Sequence, residues 1–312
     1  MSDIINRVLP ILILIAIGYW IQRKQFISES TVDDLRKLVV NLALPAVLFT
    51  SFLEIQLESK YLVIVVVTFT LCVLLYWLGK ILQPRFGADY EYFPHLMTGF
   101  EYGMLGISLF GSAYGLDKIG YIAIVDLGHE LFIWFVFLAL LLAKRDGISN
   151  TRKLFGSFIK SPVIIAILGG IVVNLVGARE LLYQGPVLGG VMNTLGYLGN
   201  LTVPLILLIV GYGIQLDRSG IKEASTLVII RLALLLPLAL ILNAFLIRYL
   251  LDLNEYFQAA LFTLLILPPP FIIPLYMRSG MDDQRRFVNN VLTLYTLVSI
   301  MIFSVYFILN SL

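Results

Sequence analysis

Asn41-Leu-Ala-Leu-Pro45 recurs 159 residues later as Asn200-Leu-Thr-Val-Pro204, and Ile55-Gln-Leu-Glu58 recurs at the same spacing as Ile214-Gln-Leu-Asp217. Further along, Leu96-Met-Thr98 returns as Leu261-Phe-Thr263 and Gly115-Leu-Asp117 as Gly280-Met-Asp282, both 165 residues on. Two motif pairs at one spacing and two more at a nearly equal spacing read as an internal duplication. In an apolar chain, a duplicated half is the sequence mark of a secondary transporter.

The composition sets the solvent. The chain is 59% hydrophobic and 13% charged, with a mean hydropathy of +0.93. A soluble domain carries about a quarter charged residues, so this chain has too little polar surface to face water. Cys72, the one cysteine, lies in an apolar run, which excludes an internal disulfide and a CxxC metal site. The apolar run after Arg7 lacks a small-x-small cleavage site and leads into more apolar segments, so it is not expected to be a cleaved leader.

A helix crossing the bilayer needs about 20 mostly apolar residues. Ten stretches qualify: 4–22, 36–54, 61–82, 94–114, 119–143, 161–178, 187–213, 224–250, 256–277 and 287–310. The reading is an all-α integral membrane protein of ten transmembrane helices. Its first five-helix repeat is 1–143, its linker 144–160, and its second repeat 161–312. Five is odd, so the second copy must enter from the opposite face, and the repeats are inverted.

Lysine and arginine set the orientation. Loops on the side opposite the N-terminus carry sixteen of them, from Arg23 to Arg286, against five on the N-terminal side: Arg7, Lys60, Lys118, Arg179 and Arg248. This places both termini outside and the 144–160 loop in the cytoplasm. The shortness of that loop suits a prokaryotic inner membrane.

Neither the fourth nor the ninth span reads as a continuous helix. The fourth runs Thr98-Gly-Phe-Glu-Tyr-Gly-Met-Leu-Gly-Ile-Ser108, and the ninth contains Pro268-Pro-Pro270 and then Pro274. Prolines remove amide donors and force the residues before them out of the helical region. An opened turn is tolerated at mid-bilayer only where it lines a cavity or is packed in protein. Paired interrupted spans point to a binding site. Free amides and the helix dipole after such breaks favour an anion. The expected substrate site is therefore Glu101, Tyr102, Gly103 and Met104 with Pro268, Pro269, Pro270 and Phe271, joined by Asn290 at the start of the tenth span.

Ionisable groups inside spans are costly and functional by default. Glu101 is the expected coupling residue, with a bond to Arg231 or to a backbone amide as its structural alternative. Asp126, His129 and Glu130 fall on one helical face, either as a proton relay or as a network fixing the helix; Asp126 and His129 are taken as coupling candidates. Zinc is not expected, because no further His or Cys offers a second cluster. Asn41, Pro45, Asn200 and Pro204 are read as bend and cap residues. Asn289, Tyr295 and Ser299 are wall or packing candidates on the tenth span.

At Asn41–Pro45, Val203–Leu208, Met104–Ser108, Asp126-Leu-Gly128 and Leu267–Pro270 the chain resembles the auxin efflux carrier family over essentially its whole length. The resemblance implies a scaffold and a transport domain, with the fourth and ninth helices crossing at their breaks. It implies movement of a small organic anion, a carboxylate, by an elevator-type motion. It also implies a homodimer through the first, second, sixth and seventh spans. Family members usually show Asn-Thr-Gly at the fourth-span break and a proline shortly after, where this chain has Glu101-Tyr102-Gly103 and Ser108. An amide has become a carboxylate, and a simple monoanion then fits only when Glu101 is protonated. The expected function is secondary active transport, proton-coupled, with sodium coupling or a non-transporting sensor as alternatives. No enzyme motif, cofactor or nucleic-acid partner is expected; the partners are the substrate, proton or sodium, and the bilayer.

Overall fold

The computed structural model describes residues 2–146, 159–278 and 280–310, so most of the expected 144–160 linker lies outside the described residues. All regular structure among the described residues is helical. Six helices are long and apolar enough to cross a membrane: Glu29–Glu54 (α2), Tyr61–Phe86 (α3), Leu116–Arg145 (α6), Pro186–Tyr212 (α9), Ile221–Leu250 (α10) and Asp282–Leu309 (α12). Ser2–Arg23 (α1), Pro162–Leu175 (α7) and Glu255–Ile266 (α11) are apolar helices as well. The short helices Phe93–Met97 (α4), Ile107–Tyr114 (α5) and Arg179–Gln184 (α8) complete the set. The helical state follows from the medium: within a bilayer every backbone polar group must find its partner inside the chain.

α2 starts seven residues before the apolar stretch that the sequence marks. The Ser28 hydroxyl accepts from the Thr31 amide and caps a polar first turn. Asn41 lies in a π turn, Val39–Ala43, and Asn200 closes the first segment of α9, which resumes at Thr202. Both copies of the Asn-to-Pro motif thus coincide with an irregular helical turn.

The helices pack in two groups. α1 lies along the second segment of α9, and α7 lies along α2. These seams are built on glycine. A Cβ at Gly18 would overlap the Leu208 carbonyl, and one at Gly211 would overlap that of Ile15, so the two backbones touch. At the other seam, a Cβ on Gly170 would sit 2.6 Å from the Phe49 carbonyl oxygen. Asn174 of α7 donates to the Phe52 and Ile55 carbonyls at 2.8 and 2.7 Å, satisfying the orphan acceptors at the end of α2.

The second group gathers α3, α6, α10, α11 and α12, with α4 against α3, while α5 bridges the two groups by packing on the second segment of α9 and on α1 as well as on α6 and α12. Gly128 of α6 abuts the Val65 carbonyl of α3. The breaks described next lie within this group.

Candidate functional site

α4 ends at Met97 and the chain is non-helical until a π turn, Tyr102–Gly106, leads into α5. α11 ends at Ile266, where Pro268-Pro-Pro270 can donate no amide to continue it. A four-residue 3₁₀ turn, Ile273–Tyr276, follows. The half-helix expected after the first break is present; after the second, the chain forms only this short turn.

The opened stretches are bonded to each other. The Glu101 amide donates to the Pro268 carbonyl at 2.8 Å. Gly99 has a φ of +71°, and a Cβ there would stand 2.7 Å from Cγ of Pro270. Only glycine meets both conditions without strain.

Charged side chains close the ends left open. The Glu101 carboxylate, 8% exposed, accepts from the Met104 amide through Oε1 at 3.2 Å and from the Phe271 amide through Oε2 at 2.6 Å. One oxygen serves each break. Glu101 thus makes the backbone-amide alternative weighed from sequence, with no bond to Arg231. Arg231, on α10, is fully buried. It donates to the Leu96 carbonyl at 2.6 Å, to that of Gly99, and at longer range to Thr98 (3.4 Å) and Leu267 (3.5 Å). Its guanidinium lies 5.2 Å from the ring centres of both Phe100 and Tyr295. The chain's own anion meets the amides of the breaks and its own cation meets the carbonyls, as the helix-end charges require.

His129, oriented by Asp126, holds the crossing from α6, with Glu130 beside them. His129 Nε2 is 2.9 Å from the Phe100 amide, and Nδ1 is 2.7 Å from Asp126 Oδ1. A backbone amide can only donate, so Nε2 is the acceptor and Nδ1 carries the hydrogen shared with Asp126. Glu130 accepts from Trp134 Nε1 at 2.8 Å. The ligand-type atoms of the three residues lie within 4.8 Å of one another. Both ring nitrogens of His129 are engaged, however, so the group does not present itself as a metal centre.

The remaining expected residues divide. Tyr102 and Met104 are buried, Gly103 faces open space, and Phe271 is half-buried beside buried Pro268, Pro269 and Pro270. Asn290 is spent elsewhere: it accepts from the Asp217 amide at 2.9 Å and donates to the Asp217 and Ser219 carbonyls at 3.0 and 2.8 Å. It staples the loop between α9 and α10 rather than the crossing, and Asn289 is exposed. Asn41 is exposed and donates to the Lys37 carbonyl at 2.7 Å; Pro45 and Pro204 are half-buried in the first turns of the helical segments that follow the two irregular turns. Ser299 donates to the Ile266 carbonyl at 2.6 Å, and Tyr295 carries one face of Arg231. Arg231 joins the site although it is not among the residues expected there; a lone arginine within an apolar span is its one mark in the sequence.

A separate polar cleft of about 390 Å³ opens between α2, α9 and the start of α6, lined by Thr50, Ser51, Glu54, Asp117, Asn193 and Asn200 among others.

Residues 3–307 match a family model described as "membrane transport protein". A curated relative, an "uncharacterized transporter" of Methanothermobacter thermautotrophicus, is 25% identical over 228 residues, covering 70% of this chain and 72% of the relative.

Proposed function

The chain belongs to that membrane transport protein family, the auxin efflux carrier family suggested by its motifs, and from this premise we propose that it works by alternating access around the crossing of its two broken spans. Membership makes it an integral membrane transporter and not an enzyme. The observation that carries the mechanism is Glu101, one carboxylate divided between the amides of both breaks.

The proposed architecture is ten spans in two inverted repeats, 1–143 and 161–312. Its support is the repeated motifs and the reciprocal packing, in which α1 of the first half lies on α9 of the second while α7 of the second lies on α2 of the first. α1, α2, α7 and α9 form the scaffold of this reading. α9 exposes Val187, Val191 and Tyr197, a surface on which the expected homodimer would form. The other group carries the crossing. Its breaks are bonded together and to α10 through Arg231, which suits an elevator-type movement of the group as a body rather than a hinge within it.

Glu101 is the coupling residue in this reading. Its proton decides whether the two amides face an anion or a neutral acid. A carboxylate substrate, the expectation from sequence, would compete with Glu101 for those same amides. Asp126 and His129 link the Phe100 amide to α6 and are secondary coupling candidates. Orientation follows the basic residues: Lys144, Arg278 and Arg285 meet around Glu91 and Pro274 at one end, the proposed cytoplasmic face of a prokaryotic inner membrane.

Glu101→Gln in proteoliposomes tests the coupling, with flux of a radiolabelled panel of organic acids and amines measured under an imposed pH gradient. The variant is expected to fold and to lose the response to the gradient. An unchanged response refutes Glu101 as the coupling group.

A further inference from the structure

An anion site formed by broken helices needs free amides, and here one amide from each break is already taken. Met104, within the turn after the first break, and Phe271, the first donor after the prolines, both bond to Glu101. What the crossing offers an incoming group is therefore a carboxylate. Each of its oxygens accepts a single hydrogen bond and keeps further acceptor capacity. Two residues along the chain, nothing stands within 4 Å of the position a Cβ would take on Gly103.

The surroundings carry the same sign. Glu130 lies within electrostatic reach of Glu101, and Asp126 within reach of Glu130. The bases facing this region are Arg36, at the rim and already paired with Asp33, and Arg231, turned onto carbonyls. His129 stands between Asp126 and the Phe100 amide with its ring nitrogens engaged. Among the described residues no lysine or arginine pairs with Glu101, Asp126 or Glu130.

A second, independent observation points to a missing ligand. The hydroxyl of Tyr102, the residue after Glu101, is buried with no hydrogen-bond partner, on a residue only 7% exposed. It too lies within electrostatic reach of Asp126 and Glu130. A buried polar atom left unpaired is costly, and this one adjoins an acidic region lacking a counter-charge.

We propose that the substrate of this crossing is a monovalent cation of the ammonium class, which exchanges with a proton on Glu101. The inference rests on the transporter reading above and changes the charge of what is carried. One carboxylate holding either a proton or a cation, never both, gives antiport without any further device. Sodium shares the charge and is the alternative source of it.

The test uses the full chain in proteoliposomes loaded with an impermeant pH dye. Tetramethylammonium, choline, sodium and succinate are added outside in turn, with the lumen held acidic. The first two are permanently charged and cannot cross as free bases. Expected is proton exit driven by an ammonium probe, with apparent affinity falling by up to about tenfold per unit of pH decrease, the limit for exchange against one proton. Glu101→Gln should abolish this exit and Glu101→Asp should retain it. If Glu101→Gln does not fold, the pH competition in the wild-type protein carries the test. Response to sodium alone overturns the ammonium assignment but keeps the cation. Succinate flux with no cation response overturns the charge sign and leaves the transporter reading intact. Cation exchange preserved in Glu101→Gln overturns the role of Glu101. No response to any probe from folded protein overturns this inference together with the reading beneath it.

Discussion

Replacing Arg231 by Met removes a side chain that ties the first break to α10. The two short bonds, to the carbonyls of Leu96 and Gly99, dominate; those to Thr98 and Leu267, at 3.4 and 3.5 Å, add little. Hydrogen bonds to a charged group are worth about 1.5–3 kcal/mol each, and each buried ring face adds about 1 kcal/mol. Against this gross loss of roughly 5–8 kcal/mol stands the relief of no longer keeping a guanidinium from water, which recovers several kcal/mol. The net expectation is a loss of about 3 kcal/mol, or a fall of roughly 5 °C in Tm for a chain of this length. Thermal unfolding of the detergent-purified protein reads it. Arg231→Lys should lose about half as much, because one ammonium cannot fork to two carbonyls as the guanidinium does. A Met variant with the wild-type Tm and wild-type flux would refute the clamp.

Gly211→Ala pushes a methyl into the Ile15 carbonyl and must part α1 from α9. A loss of about 2 kcal/mol is expected, read by the same unfolding assay, whereas Gly196→Ala, with open space around it, should be silent. His129→Ala orphans the Phe100 amide and frees Asp126, at a cost of about 1–3 kcal/mol. Asp126→Asn keeps an acceptor toward Nδ1 and should be milder. Equal stability and equal pH dependence of flux in the wild type and His129→Ala would remove α6 from the coupling path.

The apolar runs made most of the helices legible, because in hydrocarbon a sustained run has no alternative to helix. The 61–82 stretch extends to Phe86 and the 161–178 stretch contracts to Pro162–Leu175. The break at Pro268–Pro270 was legible from covalent chemistry alone, since three missing donors cannot be hidden. The π turns at Val39–Ala43 and Tyr102–Gly106 were not, because they depend on what packs against the turn and carry no local signal. Nor was the short 3₁₀ turn after the second break. At the site, Glu101 was identified as a buried carboxylate, but its two partners are backbone amides separated from one another by well over a hundred residues, and no side-chain pattern records an amide. Asn290 misled for the mirror reason: its place at the head of a helix suggested the crossing, while its three bonds belong to the 217–219 loop.

The proline triplet makes its break lopsided. It strips donors and leaves acceptors, so the orphaned groups near residues 266–268 are carbonyls, and they are met by the Ser299 hydroxyl, the Arg231 guanidinium and the Glu101 amide. Of these donors the Ser299 hydroxyl and the Glu101 amide make the short bonds, while the Arg231 contact at 3.5 Å adds little. The prolines and Ser299 are therefore mutually contingent. A relative that restored the helix at 268–270 would leave the Ser299 hydroxyl without the Ile266 carbonyl, and one that lost Ser299 first would leave that carbonyl bare. The substitutions should be epistatic, and natural variants are expected to keep or discard them as a set.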